Sequence, residues 1–215
     1  MFGRNLSLEL GAHSAHPFDE WIPVKRYSDI AFSRNARARQ ERAGGAAHYA
    51  NAYEAPQELG EFERAFLAER DSFYFASVGE NGWPYVQHRG GPAGFIKVVD
   101  GRHIAWADPP GNGQFITAGN IDGDDRVSLI AVDYPNKRRL KLYGRARYDN
   151  APNSKTLAAL GIDRQLEGLV IVEIDSFDWN CPKFITQRFT AKEVRSVIAP
   201  LEERIRELEA QLRAA

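Results

Sequence analysis

A mainly β fold with flanking helices, an antiparallel barrel or sandwich rather than alternating parallel units, is what this sequence predicts. Three observations carry it. From Phe73 the apolar pattern takes on the period of strands. Glu80-Asn81-Gly82 and Asp100-Gly101 then sit between apolar runs, the strongest short hairpin signals. Finally, the strand segments, about seven in all, are joined by connections too short for repeated crossover helices.

The elements follow in order. "RYSDIAFSRNARARQERAGG" predicts a helix, with Ser28 and Asp29 at its start and Gly44-Gly45 as its stop. "AAHYANAYEA" has no decisive period. "APQELGEFERAFLAERDS" predicts a second helix, with Pro56 in its first turn and Leu59, Phe62, Phe66 and Leu67 at helical spacing. Two hairpins come next, "FYFASVG" with "WPYVQHR" and "GFIKVV" with "HIAWAD". After a loop and short helix around "GNGQFITAGN" come the strands "RVSLIAVDY" and "RRLKLYGRARY", a helix at "SKTLAALG" and the strand "GLVIVEID". From Ala191 the period changes again. Val194, Ile198, Leu201, Ile205, Leu208 and Leu212 alternate spacings of four and three between charged residues, a narrow seam expected to pack on its own domain or on a partner subunit. The divisions expected are a helical extension over 1–70 packing on the barrel, a core domain over 71–190 and an amphipathic helix over 191–215.

Composition narrows the function classes. With 28 Lys and Arg against 29 Asp and Glu, the net charge of -1 argues against a general affinity for nucleic acid or anionic membrane, so any anion site is local. A single cysteine excludes an internal disulfide or a multi-cysteine metal site and fits a reducing cytoplasm. The sequence has neither the apolar core of a signal peptide nor a run long enough for a membrane helix, and is read as soluble and unexported.

Among residues that carry chemistry, Cys181 has no histidine near it in sequence and reads as a bystander beside Pro182, although Lys183 and Arg188 would favour its thiolate. His13, His16, His48, His88 and His103 show no metal-ligand spacing. "PPGNGQFITAGN" lacks the Lys-Ser/Thr pair of a triphosphate loop and the third glycine of a dinucleotide fingerprint. It offers a glycine-rich turn, the donors Asn112 and Gln114, and a helix start. Arg89 ends a strand just before Gly90-Gly91, where a ligand could approach the backbone. Arg139 and Lys141 share one strand face, opposite Leu140 and Leu142. With Trp179 and Arg188, these residues point to a pocket for a planar, phosphorylated ligand.

The succession "FYFASVGENGWPYVQHRGG", "GFIKVVDGRHIAWAD", "GNGQFITAGN", "DDRVSLIAVDYPNKRRLKLYGRARY" and "DWNCPKFITQRF" resembles the pyridoxamine 5'-phosphate oxidase-related, FMN-binding split-barrel family, over roughly residues 70 to 190. The resemblance implies a six-stranded antiparallel Greek-key split β-barrel and a homodimer with FMN at the subunit interface. It implies that Arg89 and Lys97 hold the phosphate. Trp106, Ala107, Asp108, Asn112 and Gln114 would contact the flavin, Arg139 would reach its ring, and Trp179 and Arg188 would close the site from the partner subunit. The insert "GGPAG", a longer loop from Asp108 to Arg126 and the missing Arg-rich C-terminal segment separate the chain from the vitamin B6 enzyme, so FMN binding carries over better than that substrate.

Two functions follow. One is an FMN-dependent oxidoreductase moving a hydride between a small substrate and FMN, with no general base in view. The other is a non-catalytic sensor or carrier of a flavin, a deazaflavin or haem, the last needing His88 or Cys181 as axial ligand. A purely structural dimerisation protein would leave the clustered polar residues without a use.

Overall fold

The computed structural model describes residues 26–49, 58–163, 165–179 and 181–214. The histidine pair His13 and His16, and Pro56, lie outside them. The strand periods become β1 Ser72–Val78, β2 Pro84–Gly90, β3 Lys97–Val98, β4 His103–Asp108, β5 Arg126–Asp133, β6 Arg138–Asp149 and β7 Gly168–Trp179. They form one sheet in the order β2-β1-β5-β6-β7-β4-β3. Every pairing is antiparallel.

The fold is thus the expected antiparallel split barrel, with one strand more than the six the resemblance implies. The shortest strand is β3. "GFIKVV" yields only two paired residues because Phe95 and Ile96 turn into the core, leaving Lys97 and Val98 to pair with Ala105 and Ile104. The last strand also runs beyond "GLVIVEID", to Trp179.

Alternation fixes which side chains fill the barrel. On β1, Phe73, Phe75 and Ser77 point inward and are buried. Trp106 of β4 meets Phe73 and Phe75 edge-on, with centroids 5.0 and 5.1 Å apart, and Phe95 stacks on Phe73 at 5.6 Å. Each such ring, once buried, contributes on the order of 2 kcal/mol by area removed from water. Trp106 lies at the centre of this cluster, 1% exposed.

The helices are α1 Tyr27–Ala31, α2 Arg34–Arg42, α3 Ala46–Tyr49, α4 Glu61–Ala68, α5 Ile116–Gly123, α6 Ser154–Ala159 and α7 Ala191–Ala214. The first predicted helix is two. Ser33 breaks it by turning its hydroxyl to the N–H of Ala36, 3.2 Å away, as the N-cap of α2. Arg37 then ties the break down through the carbonyls of Phe32 and Ser28, at 3.2 and 3.1 Å.

Helix α4 starts at Gly60, later than Pro56 suggested, because Glu63 reaches back to the Gly60 N–H at 3.0 Å. Its Phe66 and Leu67 are buried against the barrel. Helix α6 lies on the outer side of β4 and β7, where Leu157 and Leu160 pack with Ala105, Ala107, Leu169 and Ile171. Helix α7 is different: all its described side chains are exposed, and among the described residues nothing covers the seam from Val194 to Leu212.

Candidate functional site

Edge strand β2 meets the end of β4 at a seam, and the side chains there follow from strand alternation. Tyr85, Gln87 and Arg89 of β2 stand opposite Ser77, Phe75 and Phe73, so all three point to the interior side. Across the seam, Asp108 ends β4 on the same inward face as Ile104 and Trp106. The Arg89 guanidinium donates to Asp108 Oδ1 at 2.5 Å, bridging edge strand β2 to β4. From β6, the Tyr148 hydroxyl donates to Asp108 Oδ2 at 3.2 Å. Gly168 makes room for it: a Cβ there would lie 2.3 Å from the Tyr148 ring.

Helix α5 and the loop before it form the other wall. Thr117 Oγ1 donates to Gln87 Oε1 at 2.9 Å, and Asn120 Nδ2 to Ser77 Oγ at 3.0 Å, which fixes α5 to the hairpin. The loop turns through Gly113 and then Phe115, both with positive φ, and Asn112 Oδ1 accepts the Gln114 N–H at 3.2 Å. Between these walls lies a cleft of about 70 Å³, with Arg89 and Asp108 on its floor and Asn112, Gln114 and Thr117 on its side.

Its electrostatics are mixed. Arg89 and Asp108 have side chains only 15% and 12% exposed, so the pair is largely withdrawn from water. Arg89 nevertheless has spare capacity, because its Nε is buried without a hydrogen-bond partner. Glu167 adds a second carboxylate to the lining. Burial first, and the adjacent Asp108 second, push the Tyr148 hydroxyl up to about 12, so it stays a donor at neutral pH. A small anion sharing the guanidinium with Asp108, and reached by loop donors, is the ligand this arrangement suits.

The structure brings Arg89, Asp108, Asn112 and Gln114 together and sets the other expected site residues elsewhere. Lys97 pairs with Ala105, which faces outward, and lines a separate cavity of about 480 Å³ with Arg64 and Leu160. Trp106 is in the barrel core, and the Ala107 side chain lies in the cluster under α6. Arg139 projects from the outer face, opposite the buried Leu140, with its Nε buried and unpartnered. On that face Lys141 donates to the Tyr27 hydroxyl at 2.5 Å.

Trp179 is held inside its own subunit. Its ring packs on Phe62 and Phe66, with centroids 4.9 and 4.7 Å away, and its Nε1 donates to Glu63 at 2.8 Å. It is not among the residues that line the cleft of its own chain. Arg188 is exposed and sits over the Tyr134 ring at 5.1 Å, beside a cavity of about 440 Å³ away from the seam. The gap expected at Gly90-Gly91 is filled as well, since a Cβ on Gly91 would come within 2.7 Å of the buried Phe95 ring. Cys181 and His88 are exposed, and His88 lies edge-on to Tyr74 at 5.6 Å. No group of three or more metal-ligating side chains occurs among the described residues.

Tyr85, Gln87, Thr117, Tyr148 and Glu167 were not expected at the site. The signal for the first two was present: Tyr85, Gln87 and Arg89 are spaced by two on one strand and so share a face. Tyr148 and Glu167 are brought in by long-range closure of the barrel, which spacing does not report.

These features define the chain as a β protein of the antiparallel split-barrel class, with a polar cleft at its seam. More particularly, the chain belongs to the pyridoxamine 5'-phosphate oxidase family, whose model matches residues 59–170. That span includes every residue of the cleft and ends before Trp179, Arg188 and α7. Among solved structures the chain is similar to HupZ of Group A Streptococcus, with a TM-score of 0.46 and 15% identity over 61% of this chain and 100% of that one. It is similar to an FMN-binding protein of Syntrophomonas wolfei, at 0.42 and 11% over 55% and 83%. It is also similar to an FAD-binding protein of Mycobacterium smegmatis, at 0.41 and 15% over 57% and 96%. No curated protein matches. No helix among the described residues is long and apolar enough to cross a membrane.

Proposed function

We propose that the chain is an FMN-binding flavoprotein whose seam cleft anchors the FMN phosphate, and that it serves as an oxidoreductase. The observation that carries this reading is the state of Arg89: a nearly buried guanidinium on the cleft floor, with a buried Nε still lacking a partner. A phosphate is the group that satisfies such a donor bidentately, and the loop around Asn112 and Gln114 adds polar donors beside it. Membership of the family supports the same cofactor class.

The fit extends to the mouth of the cleft. Phe115 and Ile116, 53% and 39% exposed, give an apolar surface where a flat ring system would rest, while the cleft itself has the size of the phosphate end alone. The site is completed in a homodimer in which a second copy covers the outer face bearing Arg139. Tyr74 and Val86, 42% and 60% exposed on that side of β1 and β2, support such a cover. Arg139, with its unpartnered Nε, is then the residue to offset negative charge on the cofactor's ring.

When bound, the flavin supplies a two-electron acceptor for a hydride from a small substrate. The chain's own residues bind, orient and shield. Arg89 neutralises the phosphate, Asp108 and Tyr148 hold Arg89 in place, and Thr117 with Gln87 keeps α5 against the barrel. The test is the absorption spectrum of the purified protein, followed by anaerobic addition of NADH or NADPH. A flavin doublet that bleaches with a donor is the expected result. A Soret band, or no visible absorption after incubation with FMN, overturns the cofactor; a flavin that no donor reduces overturns the oxidoreductase.

A further inference from the structure

Helix α7 carries information that the cleft does not use. We propose that the α7 helices of two copies wind into a parallel, two-stranded coiled coil. With Ala191 as position a, the a positions are Ile198, Ile205 and Leu212, and the d positions are Val194, Leu201 and Leu208. β-branched isoleucine at a with leucine at d is the core that favours two parallel strands over three or four. All six side chains are exposed in the single chain, from 42% at Val194, Ile198 and Leu208 to 79% at Leu212. The helix lies outside the span shared with the family, and among the described residues nothing in its own chain covers the seam.

The flanking charges choose the occupant and its direction. In a parallel pair, Arg204 at g faces Glu209 at e of the partner helix, twice per dimer, and no like charges meet. In the antiparallel alignment that keeps every apolar layer matched, Arg204 faces Arg204 on one flank of the seam and Glu202 faces Glu202 on the other, and these two repulsions offset the two Arg195–Glu209 attractions the alignment also makes. Within one chain Arg204 contacts Glu207 at 2.8 Å and Arg213 contacts Glu209 at 3.8 Å, both exposed pairs that exchange readily for partners across the seam. Pro200 falls at position c, pointing away from the seam, where its ring does not block the partner.

A coil with three a/d layers of each kind is short, so it would form between copies already brought together or would itself hold them at high local concentration. Its two-fold axis runs along the helices, which is compatible with one two-fold axis for the whole dimer. The pairing stands on the helix alone and does not require any ligand in the cleft.

The test uses the full-length chain with Cys181→Ser, so that no native thiol remains, and a single cysteine introduced by Leu208→Cys at d. In the parallel coil the two introduced thiols share a layer and form a disulfide-linked dimer on mild oxidation, seen on a non-reducing gel. Arg204→Glu in this background is expected to slow that cross-link several-fold, and Arg204→Glu with Glu209→Arg to restore it, because the pair is complementary again. The inference is overturned if Leu208→Cys yields no cross-linked dimer at concentrations where the chain is dimeric by light scattering. It is also overturned if cross-linking appears only on mixing Leu208→Cys with Ile198→Cys protein, which reports the antiparallel alignment, or if the charge reversal has no effect.

Discussion

Asp108 is the residue on which the seam turns. It accepts from Arg89 on one oxygen and from Tyr148 on the other, so two elements distant in sequence are fastened to β4 at one carboxylate. The arrangement has a consequence at high pH. An unfolded tyrosine loses its proton near pH 10, whereas Tyr148 in the fold keeps it to about 12, chiefly through burial and then through Asp108. Between these values the native state holds the extra proton, so the stabilising contribution, complete below about pH 10, is lost as pH rises toward 12. Urea midpoints measured from pH 9 to 11 are therefore expected to fall less steeply in Tyr148→Phe than in the parent chain. Tyr27, pushed to about 12 by its own burial, leaves some slope in both. Identical slopes would show that Tyr148 is not held as described. At this scale the sequence was partly legible. Arg89, Asn112 and Gln114 could be chosen from residue type and local turn chemistry, but the carboxylate that pairs with Arg89 is 19 positions away and is fixed only by barrel closure.

Among the elements, the long-period signals held and the irregular ones did not. Both hairpins formed where Glu80-Asn81-Gly82 and Asp100-Gly101 marked them, because glycine and asparagine chemistry at a turn is local. The break at Ser33 was not legible from helix propensity, since a serine inside a run of good helix formers caps only when the chain has somewhere to turn. Trp179 gives the most direct check on how α4 is held. Its ring is packed on Phe62 and Phe66, with its N–H on Glu63, so Trp179→Ala is expected to cost about 3 kcal/mol of stability by cavity formation. Differential scanning calorimetry would record this as a lowered Tm, with FMN affinity of the folded protein unchanged. An unaltered Tm with lost FMN affinity would return Trp179 to the ligand site. In α7 an internal proline costs about 3 kcal/mol relative to a good helix former, so the coil proposed for its 24 exposed residues would have Pro200 to offset.

For the whole molecule, the sheet order β2-β1-β5-β6-β7-β4-β3 leaves edge strand β2 bridged to the end of β4, beyond the two-residue β3, by side chains and not by a backbone ladder. A seam of this kind is where a polar cleft can exist in an otherwise apolar barrel, and the cleft lies there. The fold class was legible because alternation and short connections are enough to specify an antiparallel barrel. The site was only half legible because the expected residues fall on both faces of the sheet: Arg89 and Asp108 inside, Lys97 and Arg139 outside. The proposed role of Arg89 as phosphate anchor is checked by titrating FMN and riboflavin, which lacks the phosphate, into the wild-type chain and Arg89→Ala. Wild type is expected to bind FMN more tightly than riboflavin. Arg89→Ala is expected to weaken FMN by at least about tenfold, the loss of a charge-assisted contact of about 1.5–3 kcal/mol, and to leave riboflavin unchanged. An Arg89→Ala protein, folded by circular dichroism, that keeps wild-type FMN affinity, or that loses both ligands equally, would contradict that role.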